Sequence, residues 1–151
     1  MLTALAGDVG FWTGGRFPPG PYDSYAEFIE SLAIEFRSAL RESPLLQRVL
    51  AWELIQPSDT LRRIDQLRSK AIIAWMADAR GELAPPPGVD APAINAILLA
   101  AIRYLALAKV SLGRTAGIDL TSPENEARID AAFRQLIRLA YEAPKSPKQD
   151  A

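Results

Sequence analysis

APAINAILLAAIRYLALAKVSL, residues Ala91–Leu112, decides the fold. From Ile94 to Ala108 it is apolar on nearly every side, interrupted only by Asn95 and Arg103. Alanine and leucine dominate it and are strong helix formers, while Asp90 supplies a cap and Gly113 a stop. A helix apolar on one stripe needs one neighbour, whereas one apolar all round must be covered on several faces. In a chain of 151 residues that points to the centre of a bundle, or to a helix shared with a second subunit.

The flanking segments read as helices too. Ser24 and Glu27 form a capping box, and Phe28, Leu32, Phe36 and Leu40 then fall on one face, predicting an amphipathic helix to about Glu42. Glu30, Arg37 and Arg41 fall off that face. Ser43-Pro44 opens a helix over Pro44–Gln56, and Pro57-Ser58 opens another over Asp59–Arg80, which Gly81 ends. In this third helix the charges Arg62, Arg63, Asp65, Arg68 and Lys70 come first and are read as a solvated face; the apolar run AIIAWMA follows. After the central helix, Arg114–Thr121 is a link, and Ser122-Pro123-Glu124 starts a closing helix that Pro144 stops. Met1–Trp12 has a weak helical pattern, followed by a Gly/Pro-rich loop, and KSPKQDA is a polar tail expected to be disordered. No strand is expected. The fold class is all-α, an antiparallel bundle of five or six helices in one domain over 22–143.

Composition removes several functions. Seventeen basic and eighteen acidic residues leave a net charge of −1, which argues against nucleic-acid binding by this chain alone. The chain has no cysteine and no histidine, so disulfides, thiolate zinc sites and histidine-based dyads or triads are excluded. No Asp/Glu/Lys/Tyr constellation suggests an enzyme, and no cofactor or metal is expected. The start has no basic region before an apolar run, unlike a signal peptide. Arg103 and Lys109 break the longest apolar run, which argues against a membrane span, so a cytoplasmic protein is expected.

The ordered set of parts resembles the C-terminal domain of TetR-family transcriptional regulators. The likeness rests on SPLLQRVLAWELIQPS (residues 43–58), the long helix Asp59–Arg80, ILLAAIRYLALAKV (97–110), the Gly-x-Asp-Leu link Gly117–Leu120 and the closing amphipathic helix. It covers about Tyr22–Glu142. Nothing here matches the family's helix-turn-helix head, so residues 1–21 are read as the remnant of a connecting helix plus a loop, and direct DNA binding is not expected. The resemblance implies a homodimer built on the last two helices, with Ile94, Leu98, Ala101, Leu105, Leu112, Ile129, Phe133, Leu136, Ile137 and Tyr141 as candidate interface residues. It also implies a small apolar or amphipathic effector among the inner helices. Candidates to line its site are Phe28, Phe36, Trp52, Trp75, Met76, Arg103 and Tyr104, an inventory that also suits plain core packing.

Arg103 is the most informative of these. A guanidinium on an apolar helix is costly unless paired. Glu53 is the candidate ion-pair partner; an anionic ligand head and a partner across a dimer seam are the other two readings. Asn95 and Lys109 are expected near the helix ends, in solvent or at an interface rim. A helical homodimeric interaction protein with no small ligand is the alternative function.

Overall fold

The computed structural model describes Gly10 and residues 20–142. The expectations for the remaining N-terminal residues and for the tail lie outside the described residues. Over residues 20–142 five helices follow in order: α1 (Tyr25–Glu42), α2 (Pro44–Ile55), α3 (Asp59–Arg80), α4 (Ala91–Ser111) and α5 (Pro123–Tyr141). The protein is an all-α helical bundle. Each helix starts where a short polar side chain can receive an orphan backbone N–H: Ser24, Ser43, Ser58, Asp90 and Ser122 each accept from the residue three further on.

α1 is the core helix. Tyr25, Ala26, Phe28, Ile29, Ala33, Ala39 and Leu40 are buried along it, together with Arg37. It packs on α5, whose buried stripe Ile129, Phe133, Ile137 and Tyr141 repeats every four residues, and on α4. α4 and α5 run antiparallel: Tyr141 donates to the backbone carbonyl of Ala91 at 3.3 Å, while Lys109 lies 3.7 Å from Glu126 at the opposite ends.

α4 departs from the expectation that a helix apolar all round is covered all round. Within the chain it fully buries Ala91, Ile102, Ala106 and Ala108, while Ile97, Tyr104 and Val110 are more than half exposed. By length and composition alone it is also apolar enough to cross a membrane, although Arg103 and Lys109 punctuate it. α3 fully buries side chains in its first half only. Leu61, Ile64 and Arg68 are its buried residues; beyond them Ile72, Met76 and Ala79 rest half-buried against the core, and Ile73 is exposed.

The link after α4 holds a feature that the sequence did not announce. Arg114–Thr115 and Ile118–Asp119 pair as two minimal antiparallel strands, β1 and β2. The two residues between them, Ala116 and Gly117, both take positive φ, 47° and 80°. Such two-residue turns match the twist of the flanking chain and pull it into a ladder. Leu120, fully buried, and Asp119, which accepts from the Thr121 backbone N–H at 2.8 Å and its hydroxyl at 2.6 Å, pin the link to the start of α5.

A side chain with a Cβ is strained at the left-handed Ala116, and asparagine tolerates that region better. Ala116→Asn is therefore predicted to raise stability by about 0.5–1 kcal/mol. An unchanged or lowered urea midpoint would contradict this.

Candidate functional site

Two places among the described residues depart from ordinary packing: the outer surface of α4 and α5, and a charged cluster drawn from α2, α3 and α4. Neither coincides with the one apolar cavity expected from the aromatic inventory.

The outer surface comes from the helical period. Ala93, Ile97, Ala100 and Tyr104 follow at spacings of three and four along α4, all exposed, with Val110 and Leu112 beyond them. On α5, Leu136 and Leu139 stand out at 57% and 73% exposure. Several large apolar side chains thus face outward on the two antiparallel helices, more than scattered exposure explains. Of the interface candidates, Leu112 and Leu136 are exposed, and Ile94, Leu98, Ala101 and Leu105 are half-buried against the core. Ile129, Phe133, Ile137 and Tyr141 are a correction: they are consumed inside the subunit. The α5 stripe is narrow, and α1 takes all of it, leaving Leu136 and Leu139 on the other side.

The charged cluster corrects a second expectation. Glu53 pairs with Arg68, not with Arg103. Arg68 Nη1 donates to both Glu53 oxygens, at 2.8 and 2.9 Å, and its Nη2 contacts Asp65. Only Gln56, Pro57 and Ser58 separate α2 from α3, and Arg68 reaches back to Glu53 fifteen residues before it. Arg68 is thus buried at 2% exposure, although its neighbours Arg62, Arg63 and Lys70 are solvated. Arg103 is left over: its Nε is buried without a hydrogen-bond partner. Burial first, then the neighbouring Arg68 charge, hold its pKa below the usual arginine range, against a smaller pull from Glu53 and Asp65.

The other ligand candidates scatter. Phe28 is fully buried, its ring 5.2 Å from that of Tyr22 and 6.2 Å from that of Tyr25. Phe36 and Met76 are half-buried against the core, and Trp75 is half-buried on α3. Trp52 is 39% exposed and donates to Gln56 Oε1 at 2.5 Å; Tyr104 is 54% exposed with its hydroxyl 3.5 Å from that of Thr115. Phe28 and Tyr104 therefore do not face one inner cavity. A cleft of about 200 Å³ lies elsewhere, between α1 and α5, lined by Glu30, Ser31, Ile34, Glu35 and Arg134. It is polar and small for an organic ligand. Glu30 is already held by Arg134 at 3.2 Å and Arg138 at 2.9 Å.

Two polar stitches escaped the sequence reading. Arg37, expected off the apolar face, is 4% exposed and joins α1 to α5: Nε donates to Asp130 at 2.6 Å, Nη2 to Glu126 at 3.1 Å, and the Phe133 ring lies 5.2 Å away. Asn95 is not at a solvated rim. It is half-buried, donates to Tyr25 Oη at 3.3 Å and accepts from Tyr141 Oη at 2.7 Å, tying α4 to α1 and α5.

Two predictions follow from these stitches. Arg37→Ala removes the buried member of this cluster, while Arg41 Nη1 still reaches Glu126 at 2.8 Å and Asp130 at 3.4 Å, and is expected to cost about 1.5–3 kcal/mol in chemical unfolding. Arg37→Met, which keeps the packing of the stem, leaves the same carboxylates and should not restore it. Burial, with the nearby Tyr25 and Asp90 adding to it, pushes the Tyr141 hydroxyl up to about 12. A raised folded-state pKa gives stability that is fully present below the unfolded value near 10 and lost as pH rises through 12. Stability should fall by up to about 2–3 kcal/mol more in wild type than in Tyr141→Phe across that window. Parallel slopes for the two proteins would sink the assignment.

No known protein family, curated protein or solved structure matches this chain.

Proposed function

We propose that this chain is the ligand-sensing and dimerisation domain of a TetR-type transcriptional regulator, working in the cytoplasm as a homodimer rather than as an enzyme. The observation that carries the reading is α4. It is apolar on all sides, yet much of its apolar surface is uncovered in one subunit, with Ile97 69% and Tyr104 54% exposed. A second copy placing the same surface against it, with the exposed Leu136 and Leu139 of α5 alongside, would form a four-helix interface of self-complementary type. The hydrophobic effect favours that arrangement over leaving the stripe in water.

The sensing part of the proposal rests on α3, whose second half is weakly covered, and on the uncompensated Arg103 beneath it. A small effector filling that region would change how α3 sits on α4. The ligand-free alternative is a helical homodimer serving only interaction, for which the uncovered surface of α4 and α5 suffices.

Native mass spectrometry tests both. The expected result is a dimer that Ile97→Glu with Tyr104→Glu converts to a folded monomer. A wild-type monomer at micromolar concentration would overturn the interface.

A further inference from the structure

α2 is apolar on two sides, and the bundle covers one of them. Leu46 and Leu50 are its buried residues. Leu45, Arg48, Trp52 and Ile55 recur at spacings of three and four, which places them together on the opposite face. All four are exposed, Leu45 by 57% and Ile55 by 78%. Leu54 continues the line of Leu46 and Leu50, but at 72% exposure it lies past the end of the cover. The last turn of α2 thus presents large apolar side chains on both sides. The Trp52 indole N–H is taken by Gln56 Oε1, so its ring can leave water without an open donor.

The charge on this surface has one sign. The only acid of α2, Glu53, is 12% exposed and is engaged by Arg68. Arg48 stands within the exposed face itself. α3 opens three residues after α2 ends, and there Asp59 lies 3.5 Å from Arg62. Arg63 and Lys70, seven apart and so on one face of α3, are exposed and form no ion pair among the described residues. The whole chain carries a net charge of −1, so this positive excess is local.

Projecting leucine, isoleucine and tryptophan beside unanswered cations suit an anionic lipid surface. Aliphatic tips enter the acyl boundary, an indole rests at headgroup level, and guanidinium and ammonium groups reach lipid phosphates. A folded protein must offer a shaped recess to a convex helix, whereas a bilayer deforms around it. We propose that the outer face of α2 docks on an anionic membrane surface, with Leu54 and Ile55 inserted and Arg48 on the phosphates. The contact is peripheral, because a helix of twelve residues is far short of a span. It goes beyond the sensor reading and does not depend on the dimer, whose surface lies on α4 and α5.

Cosedimentation of the full chain with vesicles tests this, using phosphatidylcholine alone and equal parts phosphatidylcholine and phosphatidylglycerol. Partitioning is expected to be about tenfold stronger on the mixed vesicles and to weaken as salt is raised. Arg48→Glu should cut binding to the mixed vesicles at least fivefold, and Ile55→Glu, at a site already in water, about tenfold. In a chain carrying Trp12→Phe and Trp75→Phe, Trp52 emission should move to shorter wavelength on the mixed vesicles. No vesicle binding, equal binding to both compositions, or binding without that emission shift would each overturn the proposal. Binding of a soluble acidic amphipathic peptide without vesicle binding would give the face to a protein partner and overturn the lipid. A dimer by native mass spectrometry that ignores vesicles would remove this inference and leave the dimeric reading standing.

Discussion

Arg37 lies between α1 and α5, 93 positions along the chain from its partner Asp130, and it is nearly without solvent. Burying a guanidinium there is unfavourable unless every direction in which it donates is answered. Asp130 and Glu126 answer it from α5, one turn apart, and the Phe133 ring takes its face. These partners fit one register of α1 against α5. A slip by a residue would separate the charges and also rotate Phe28 and Ile137 out of the core. Hydrophobic burial supplies most of the favourable energy of this packing, but it is tolerant of small slides. The charged clamp is not, and α4 is then placed by what α1 and α5 present to it, through Tyr25, Asn95 and Tyr141.

How far the amino-acid order can be read depends on the range of the interaction. Every helix start was legible, because Ser24, Ser43, Ser58, Asp90 and Ser122 act on N–H groups three residues away. Helix ends were legible to within a residue, through Gly81 and the prolines. The β1–β2 pair was missed because nothing marks Ala116 as left-handed; alanine rarely goes there. Periodicity reads Arg68 as solvated and sets Arg37 off the apolar face because it treats every arginine alike, while their partners lie on other helices or across a turn. Glu53 was rightly singled out as an ion-pair partner, but its geometry favours the arginine brought back by the short α2–α3 turn over the one on α4.

The same limit applies to subunit contacts. Ile129, Phe133, Ile137 and Tyr141 have the composition of an interface because interfaces and interiors bury the same side chains. Only the position of α1 decides that these four are interior, and that Ile97, Leu136 and Leu139 are not. A stripe predicted from sequence states that something covers it. It does not state whether the cover is covalently continuous with it.

The uneven burial of α3 has a further consequence, for how the bundle opens. Protection of a backbone amide from exchange follows the free energy needed to expose it, and that energy is set by the packing nearby. From Leu61 to Arg68 the helix is held by buried leucine and isoleucine side chains and by the Glu53 pair. From Ser69 to Arg80 it has no fully buried side chain. The last three turns can therefore fray as a sub-global unit while the α1–α5 centre stays closed, so the bundle has a soft flap joined to a hard block. Fluctuation concentrated in that flap would loosen one end of the bundle without melting the rest.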